Sequence, residues 1–426
     1  MKYRFALALV SVFLSLAISA DRTASPCRGC WVAAAAAPAM DQSFGVNIHF
    51  TDPQPGEIKM IAAAGFRWVR MDFKWDLTEP GPGRYDFSPY DRLVKELAPF
   101  GLRAMFILDY GNPLYGEGAP RTESARQAFA SWAVAAAQHF ANRGVIWEIY
   151  NEPNNRTFWQ PPNADEYAAL AMAVGRAFRH AVPGEQLIGP AVGEMDFSFL
   201  ESSFRAGALD SFSAVSVHPY LRANPEAVAS EYARLREMIT RYRPGTDGSR
   251  LIPIMSGEWG YSSVWPGMNE EKQAVMLARQ FLTNAANGIP LSIWYDWRDD
   301  GPDPKDAEHH FGLVRNNYRG GPTAVCEPKP AYLAAQALLR HFSGYRFEQR
   351  LAVGSSDDYV LVFEKDNDRR IAAWTTSNPH SLMIPAAPGQ FKIVNFKGED
   401  GGRLAASQGA LQIGVTASPV YLARTD

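Results

Sequence analysis

This chain has few cysteines and no excess of positive charge. Only 3 of the 426 residues are cysteine, and Cys27 and Cys30 form a Cys-x-x-Cys pair in a Pro/Ala-rich stretch that has no second pair and no βαβ context. We therefore expect an incidental pair or a local disulfide rather than a redox or zinc site, with at least one thiol unpaired. The 42 basic and 45 acidic residues give a formal net charge of −3, which provides no electrostatic footprint for nucleic acid.

Long apolar runs are limited to the N-terminus. Residues 5–18 are apolar or Ser throughout, which is shorter than the roughly 20 residues that a membrane-spanning helix needs. The run follows Lys2 and Arg4 and precedes small residues, so we predict a signal peptide over residues 1–19, with an uncleaved anchor as the alternative. An Ala/Pro-rich linker over residues 20–42 follows. We expect an exported monomer, periplasmic or secreted, with no integral membrane span after cleavage.

The rest of the chain alternates strand-like and helix-like patterns. Eight apolar runs are typical of strands: residues 44–50, 66–73, 102–110, 145–152, 186–192, 214–220, 251–259 and 290–297. Segments with helical periodicity lie between them, such as the apolar stripe of Phe129, Trp132, Ala136 and Phe140. Eight such units over about 300 residues favour an α/β fold, a (β/α)8 TIM barrel over residues 43–345. No Gly-x-Gly-x-x-Gly follows the first strand, which weakens a dinucleotide-binding alternative.

The pattern changes after residue 345. Short alternating runs separated by Gly, Asp and Asn turns predict a small antiparallel, β-sandwich-like domain over residues 346–426. Trp374 is its only Trp, so packing against the barrel as a structural cap is favoured over sugar binding.

Two carboxylates lie where predicted barrel strands end. Glu152 follows the fourth strand in Tyr-Asn-Glu-Pro, and Glu258 ends the seventh in Ser-Gly-Glu-Trp-Gly. Side chains at the C-terminal ends of barrel strands face one mouth, where active sites of this fold lie. Glycosidic cleavage needs such a pair, because one group protonates the leaving oxygen while the other attacks the anomeric carbon or activates water.

The surrounding residues resemble the clan A glycoside hydrolases, in particular family 39 and family 5 enzymes and, among them, bacterial exopolysaccharide-processing hydrolases. The resemblance covers about residues 43–345. It is carried by WEIYNEP (147–153), SGEWGY (256–261), VNIHF (46–50), WVRMDFKW (68–75), LTEPGPGRYDFSPYDRLV (77–94), VHPY (217–220) and WYDWRDDG (294–301).

The resemblance implies roles for individual residues. Glu152 is the implied acid/base and Glu258 the implied nucleophile of a retaining mechanism. Asn151 is then expected to contact the sugar 2-hydroxyl. Arg70 and Tyr220 are expected to flank the nucleophile, and His218 to line the same site, although Arg70 in a barrel-layer ion pair and His218 in a core hydrogen bond are alternatives. Glu152 has to keep a proton, so we expect desolvation or a nearby anion there.

Strand phase adds further candidates. Ile293 and Tyr295 suit the helix-facing side of the eighth strand, which predicts that Trp294 points inward as the aromatic platform for the sugar, with Trp297 as the runner-up. Further cleft candidates are His49, Asp109, Tyr110 and Asn112, and for stacking Trp75, Trp159, Trp259 and Trp265. Glu148 and Asp72 are expected to support the groups that contact sugar, Glu148 through a pair with Arg70 or another inward base.

The favoured interpretation is a retaining glycoside hydrolase that cleaves β-linked bonds of an oligo- or polysaccharide, with a bacterial exopolysaccharide as the candidate substrate. A transglycosylase using the same residues and a non-catalytic sugar-binding protein on a degenerate barrel are the alternatives. No cofactor is expected. Glu308, His309 and His310 form no recognised metal motif, so no metal is expected either.

Overall fold

The computed structural model describes residues 38–221, 223–244, 252–316 and 326–426. The predicted signal peptide, most of the predicted linker, and Cys27 and Cys30 lie outside the described residues. Within the described ranges, no helix has both the length and the apolar character needed to cross a membrane.

Eight parallel strands close into a barrel in chain order, each paired with the next and β1 paired with β8. They are β1 (Phe44–Asn47), β2 (Trp68–Lys74), β3 (Arg103–Asp109), β4 (Ile146–Ile149), β5 (Gln186–Gly193), β6 (Ala214–His218), β7 (Ile254–Trp259) and β8 (Ser292–Trp294). The predicted TIM barrel is confirmed.

Helices surround this barrel. They are α1 (Glu57–Ala63), α2 (Trp75–Thr78), α3 (Ser88–Leu97), α4 (Glu123–His139), α5 (Ala164–Ala181), α6 (Phe197–Arg205), α7 (Val228–Tyr242), α8 (Glu270–Ala286) and α9 (Pro330–His341). Side chains of Thr122, Asn163 and Asn269 accept hydrogen bonds from backbone N–H groups at the starts of α4, α5 and α8, which satisfies donors that a helix leaves unpaired. The apolar stripe predicted from Phe129 to Phe140 is buried; it lies on α4, and Phe140 directly follows the last residue of this helix.

The barrel interior changes from apolar to polar toward the C-terminal ends of the strands. Its apolar layer consists of Trp68, Met105, Ile146, Ile188, Ala214, Met255, Leu291 and Ile293. Inward-facing positions are two residues apart along a strand, so Arg70, Glu148 and Ser216 form the next layer, and all three are buried. The polar layer therefore forms the floor of the barrel mouth.

Antiparallel strands follow the barrel. A short pair, β9 (Val314–Asn316) and β10 (Cys326–Pro328), precedes α9. The C-terminal domain contains β11 (Arg346–Arg350), β12 (Asp358–Lys365), β13 (Asp368–Thr375), β14 (His380–Pro385), β15 (Gly389–Asn395), β16 (Asp400–Ala406), β17 (Ala410–Val415) and β18 (Val420–Arg424). One six-stranded sheet has the order β11-β12-β13-β18-β15-β16, and β14 pairs with β17. Apolar side chains such as Val362, Ile384 and Ile413 form a core between these sheets.

The second face of the six-stranded sheet packs on the barrel. Phe363, Trp374 and Tyr421 belong to the same buried cluster as the side chains between barrel and helices. The Trp374 indole is fully buried and donates from Nε1 to Glu226 Oε1 at 2.7 Å. Glu226 is in turn held by both Nε and Nη2 of Arg279, each at 2.7 Å. This sheet therefore caps the barrel, and Trp374 is not exposed to a sugar.

Candidate active site

A cleft of about 950 Å³ opens at the C-terminal ends of the barrel strands. Its volume is within the range of small-molecule binding sites. The predicted residues that line it are His49, Arg70, Asp72, Tyr110, Asn151, Glu152, Tyr220, Glu258 and Trp265. The end of each strand contributes side chains to one mouth, which brings together residues far apart in the chain, such as His49 and Glu258, 209 positions apart.

Arg70 is the centre of the hydrogen-bond network on the cleft floor. Its guanidinium is 1% exposed, and its Nε donates to Glu148 Oε2 at 2.8 Å. Its Nη1 donates to Glu258 Oε2 and, at 3.1 Å, to Asn47 Oδ1. Burial opposes this charge, but Glu148 and Glu258 outweigh it and raise the pKa of Arg70 further above its ordinary value. Arg70 is a permanent cation below the two carboxylates.

Both oxygens of Glu258 accept hydrogen bonds. Arg70 donates to Oε2, and the Tyr220 hydroxyl donates to Oε1 at 2.6 Å. Burial, followed by the charge of Glu258, raises the pKa of Tyr220 well above its ordinary value, so this hydroxyl keeps its proton. Glu258 is thus oriented by two donors and remains at the cleft surface.

Glu152 faces Glu258 across the floor. One oxygen atom of Glu152, one of Glu258 and a ring nitrogen of His218 all lie within 4.8 Å of one another. Glu152 Oε1 lies 3.0 Å from His218 Nδ1, and Oε2 accepts from Asn155 Nδ2 at 3.1 Å. Arg70 Nη2 approaches His218 Nε2 at 3.3 Å, which makes Nε2 an acceptor and Nδ1–H the donor to Glu152.

The protonation of Glu152 differs from the expectation. Burial favours its neutral form, but the hydrogen bonds from His218 and Asn155, together with the charge of Arg70, lower the pKa of Glu152 below its ordinary value. The expected desolvation is present, but the nearby group is a hydrogen-bond donor and not the anion that was the alternative expectation. A substrate that displaces these donors would remove the contacts that lower the pKa of Glu152, so that Glu152 could take up a proton from solvent.

The backbone around Glu152 and Glu258 leaves no room for additional side chains. A Cβ at Gly193 would come within 2.9 Å of the Glu152 carboxyl group, and one at Gly257 within 2.8 Å of Glu148 Oε1. Glu152 itself has φ +40° and Tyr220 has φ +30°, in the left-handed region that non-glycine residues rarely occupy. Such strain persists where the surrounding structure fixes it, and it is concentrated at functional sites.

The other predicted residues lie mostly at this mouth. Asn151 Oδ1 accepts from Arg70 Nη2 at 2.8 Å, while Glu148 lies fully buried below Arg70. Asp72 was expected to support the groups that contact sugar, but it lines the cleft itself. It lies next to the buried Asp109. Burial and the charge of Asp72 raise the pKa of Asp109 well above its ordinary value. Asn112 instead donates to the backbone oxygen of Glu79 and is structural.

The prediction for the aromatic platform is wrong. Trp294 is fully buried, and its indole lies stacked with Tyr261 outside the cleft. Trp297 is 1% exposed and donates from Nε1 to Glu57 Oε1 at 2.8 Å. The phase of β8 is opposite to the one expected: Ile293 points into the apolar layer of the barrel and Tyr295 lines the cleft.

Aromatic walls stand on two sides of the cleft. Tyr110 and Phe158 stack with an interplanar angle of 7° on the β3–β4 side. Trp265 and Phe311 line the opposite side, with ring centroids 5.3 Å apart. The other loop tryptophans considered from the sequence, Trp75, Trp159 and Trp259, are fully buried.

Sequence reasoning missed several cleft residues, among them Asn47, Asn155, Phe158, Tyr295 and Phe311. Asn47 shares one strand face with His49, two residues apart, and this alternation was a usable signal. Asn155, Phe158 and Phe311 come from loops, where periodicity gives no signal.

His49 and Asp296 form a second polar pair at the cleft edge. His49 Nε2 lies 3.5 Å from Oδ2 of the buried Asp296 and 3.9 Å from Asp300. Burial opposes the charge on His49, but Asp296 outweighs it and raises the pKa of His49 to about 9. Burial likewise raises the pKa of Asp296, to about 7. His49 is therefore a charged donor at neutral pH.

Two groups of side chains in the described part of the chain have metal-ligand spacing: Glu152 with His218 and Glu258, and His49 with Asp296 and Asp300. In the first group, Arg70 already donates to Glu258. In the second, protonated His49 is the counter-ion of the two aspartates. In each group a side chain of the protein, Arg70 in the first and His49 in the second, thus supplies the positive charge that a bound cation would bring.

Comparison with known proteins identifies relatives. The family model described as Cellulase (glycosyl hydrolase family 5) matches residues 32–300. A β-xylosidase from Geobacillus stearothermophilus is 26% identical over 170 residues, which is 35% of this chain and 33% of that protein. The chain thus spans about a third of the length of this curated relative.

Solved structures of glycosidases share the fold. A family 39 glycoside hydrolase from Bacteroides cellulosilyticus superposes with a TM-score of 0.77 at 23% identity, over 91% of this chain and 82% of that chain. A monomeric β-xylosidase from Caulobacter crescentus gives a TM-score of 0.63 at 16% identity, over 92% and 97% of the two chains. The resemblance to clan A that the motifs indicate is confirmed, and the chain belongs to the cellulase family, glycosyl hydrolase family 5, as a clan A glycoside hydrolase with a family 39-like fold.

Proposed function

We propose that this enzyme hydrolyses β-glycosidic bonds of a polysaccharide by double displacement, with retention of anomeric configuration. The observation that carries the proposal is the separation of the two carboxylates, whose oxygens approach within 4.8 Å. Retaining glycosidases hold the two carboxyl groups ~5–5.5 Å apart, whereas inverting enzymes need about 6.5–9.5 Å to admit a water.

The two carboxylates differ in environment as the two roles require. Glu258 lines the cleft and is held in one orientation by Arg70 and Tyr220, which suits the nucleophile. Glu152 is held by His218 and Asn155, hydrogen-bond donors that a leaving-group oxygen can displace. In the first step Glu258 bonds to the anomeric carbon while the leaving oxygen takes its bonding electrons and a proton from Glu152. In the second, Glu152 removes a proton from water, which releases Glu258.

The cleft suits a chain of several sugars. Its aromatic walls, Tyr110 with Phe158 and Trp265 with Phe311, flank the carboxylates on both sides. Flat apolar rings provide surfaces on which sugar faces pack. Because one relative and several fold neighbours are β-xylosidases or xylanases by name, β-xylosides are the first substrates to test, with bacterial exopolysaccharides next. The predicted signal peptide would place this reaction outside the cytoplasm.

The direct experiment is a substrate panel with stereochemical analysis. Aryl β-xyloside, aryl β-glucoside, xylan, β-glucan, mannan and bacterial exopolysaccharides are assayed for reducing-end release, and the first-formed anomer is identified by proton NMR. We expect the β-anomer. An α-anomer formed first would overturn the retaining mechanism, and products longer than the substrate would show transfer to sugar in place of water.

The nucleophile is tested by Glu258→Gln. Attack needs a carboxylate, whereas binding draws on aromatic rings and hydroxyls, so turnover should fall below a few per cent of wild type while polysaccharide binding by calorimetry persists. Glu194→Gln, which changes an exposed carboxylate of the same cleft, is the matched control and should keep turnover. A Glu258→Gln variant with more than a few per cent of the wild-type rate would move the nucleophile to another residue.

A further inference from the structure

Glu148 is a buried carboxylate to which the proposed mechanism gives no task. Glu148 is 0% exposed and lies below Arg70, on the side away from the cleft. Its Oε2 accepts from Arg70 Nε at 2.8 Å and lies 2.7 Å from Nη2. Arg70 therefore lies between two carboxylates, Glu258 above and Glu148 below.

We propose that Glu148 is a positioning residue that keeps Arg70 neutralised while Glu258 is part of the glycosyl-enzyme. The inference rests on the double displacement proposed above. It assigns Glu148 to a particular stage of the reaction, the stage at which Glu258 has no charge.

The balance of charge at each stage gives the reason. In the free enzyme, Arg70 carries one positive charge against two carboxylates. When Glu258 bonds to the anomeric carbon, its carboxylate becomes a neutral ester, and the proton of Glu152 leaves with the aglycone. The new negative charge is then on Glu152, which is separated from Arg70 by the His218 ring. Without Glu148, Arg70 would be a buried cation with no carboxylate in contact.

The surroundings of Glu148 hold it in this position. The Ser216 hydroxyl donates to Oε1, the oxygen that Arg70 does not use. Gly257 provides the space, because a Cβ there would come within 2.8 Å of the same oxygen. Both carboxylate oxygens are satisfied, as a buried charge requires.

The kinetic test separates the two chemical steps. The probe is the 2-deoxy-2-fluoro derivative of the 2,4-dinitrophenyl β-glycoside that the wild type hydrolyses, starting with the β-xyloside. The rate of inactivation reports formation of the glycosyl-enzyme, and recovery reports its hydrolysis. In Glu148→Gln we expect inactivation to slow by on the order of 10- to 100-fold, because a buried charge loses its partner as the ester forms. Recovery should not slow.

Two further variants complete this test. Glu148→Asp keeps the charge and should recover part of the inactivation rate. Glu226→Gln removes a different buried carboxylate that holds an arginine, Arg279, and should leave both steps unchanged. Equal slowing of both steps in Glu148→Gln, or no slowing, would overturn the role of Glu148. A wild-type enzyme that hydrolyses the aryl glycoside but forms no ester on Glu258 would overturn the double displacement itself, and this inference with it.

A stability experiment needs no substrate. In Glu148→Gln, Arg70 keeps Glu258, and in Glu258→Gln it keeps Glu148, so each single change leaves one ion pair. The double variant leaves Arg70 with none. Each variant is described by the fold-increase of its unfolding equilibrium constant over wild type, measured in urea. We expect the fold-increase of the double variant to exceed the product of the two single fold-increases by roughly tenfold. Additive effects would show that Glu148 and Glu258 do not share Arg70, and would overturn the proposal.

Discussion

Replacement of Glu152 by alanine should separate the two chemical steps of the enzyme. General acid/base catalysis contributes typically ~10²–10⁴-fold, which corresponds to roughly 2.7–5.5 kcal/mol of barrier. On polysaccharide, whose leaving group needs the proton, Glu152→Ala should lose that full factor. An activated aryl β-glycoside departs without a proton, so its first step should survive and give a burst of aryl alcohol.

The structure makes this variant suitable for chemical rescue. The Glu152 carboxylate borders the cleft and is 13% exposed, so its removal leaves a space that is open to small anions. Azide needs no general base, and it should restore turnover of the glycosyl-enzyme and give a β-glycosyl azide. Glu258→Ala should give no burst, and any rescue by azide should give the α-product. Glu194→Ala, a change of an exposed cleft carboxylate, should behave as wild type.

The assay is stopped-flow release of the aryl group with and without azide, followed by NMR of the azide product. A lack of azide effect on Glu152→Ala would remove this residue from the acid/base role. Swapped product configurations would instead exchange the roles of Glu152 and Glu258 and refute the assignment made from their hydrogen-bond partners.

Three further changes have defined outcomes. His218→Gln removes the donor that lowers the pKa of Glu152, so the alkaline limb of the pH profile of kcat/KM should move to higher pH. His218→Asn keeps a donor near the Nδ1 position and should leave this limb close to that of the wild type. Trp265→Ala should raise KM for polysaccharide by roughly tenfold through lost ring contact, while Trp294→Phe should lower the melting temperature and leave KM unchanged. Trp374→Phe loses a hydrogen bond to a charged group, worth about 1.5–3 kcal/mol, and should destabilise the whole chain in urea without changing kcat.

The fold was predictable because each barrel strand is an apolar run bounded by turn residues, and because right-handed crossovers restrict how eight such units can pack. The direction of side chains on β8 was not predictable in the same way. β8 has three residues, and the lower part of the barrel interior is as apolar as the space under the helices. On β8, hydrophobicity therefore does not distinguish side chains that point into the barrel from those that point toward the helices. This is why the predicted direction of Ile293 is wrong.

The site was predictable where residues lie on strands and not where they lie on loops. Arg70, Glu148 and His218 follow from alternation along β2, β4 and β6, and the structure brings them together. Asn155 lies on the loop after β4, and its contact with Glu152 depends on how that loop folds back. The lowered pKa of Glu152 arises from such contacts, so the sequence alone predicted the desolvation of Glu152 and not the donors that outweigh it.

The absence of a Cβ at Gly193 and Gly257 has a consequence for the precision of the catalytic groups. At Gly193 and Gly257, the part of the surface that faces Glu152 and Glu148 is main chain, held by the barrel, instead of a side chain that could change rotamer. Main chain in a closed sheet moves far less than a side chain. The two carboxyl groups therefore pack against main chain that keeps its position through the catalytic cycle. Directed evolution for new substrates should therefore leave these two positions as glycine and draw its useful changes from the aromatic walls, where the surface is built of side chains.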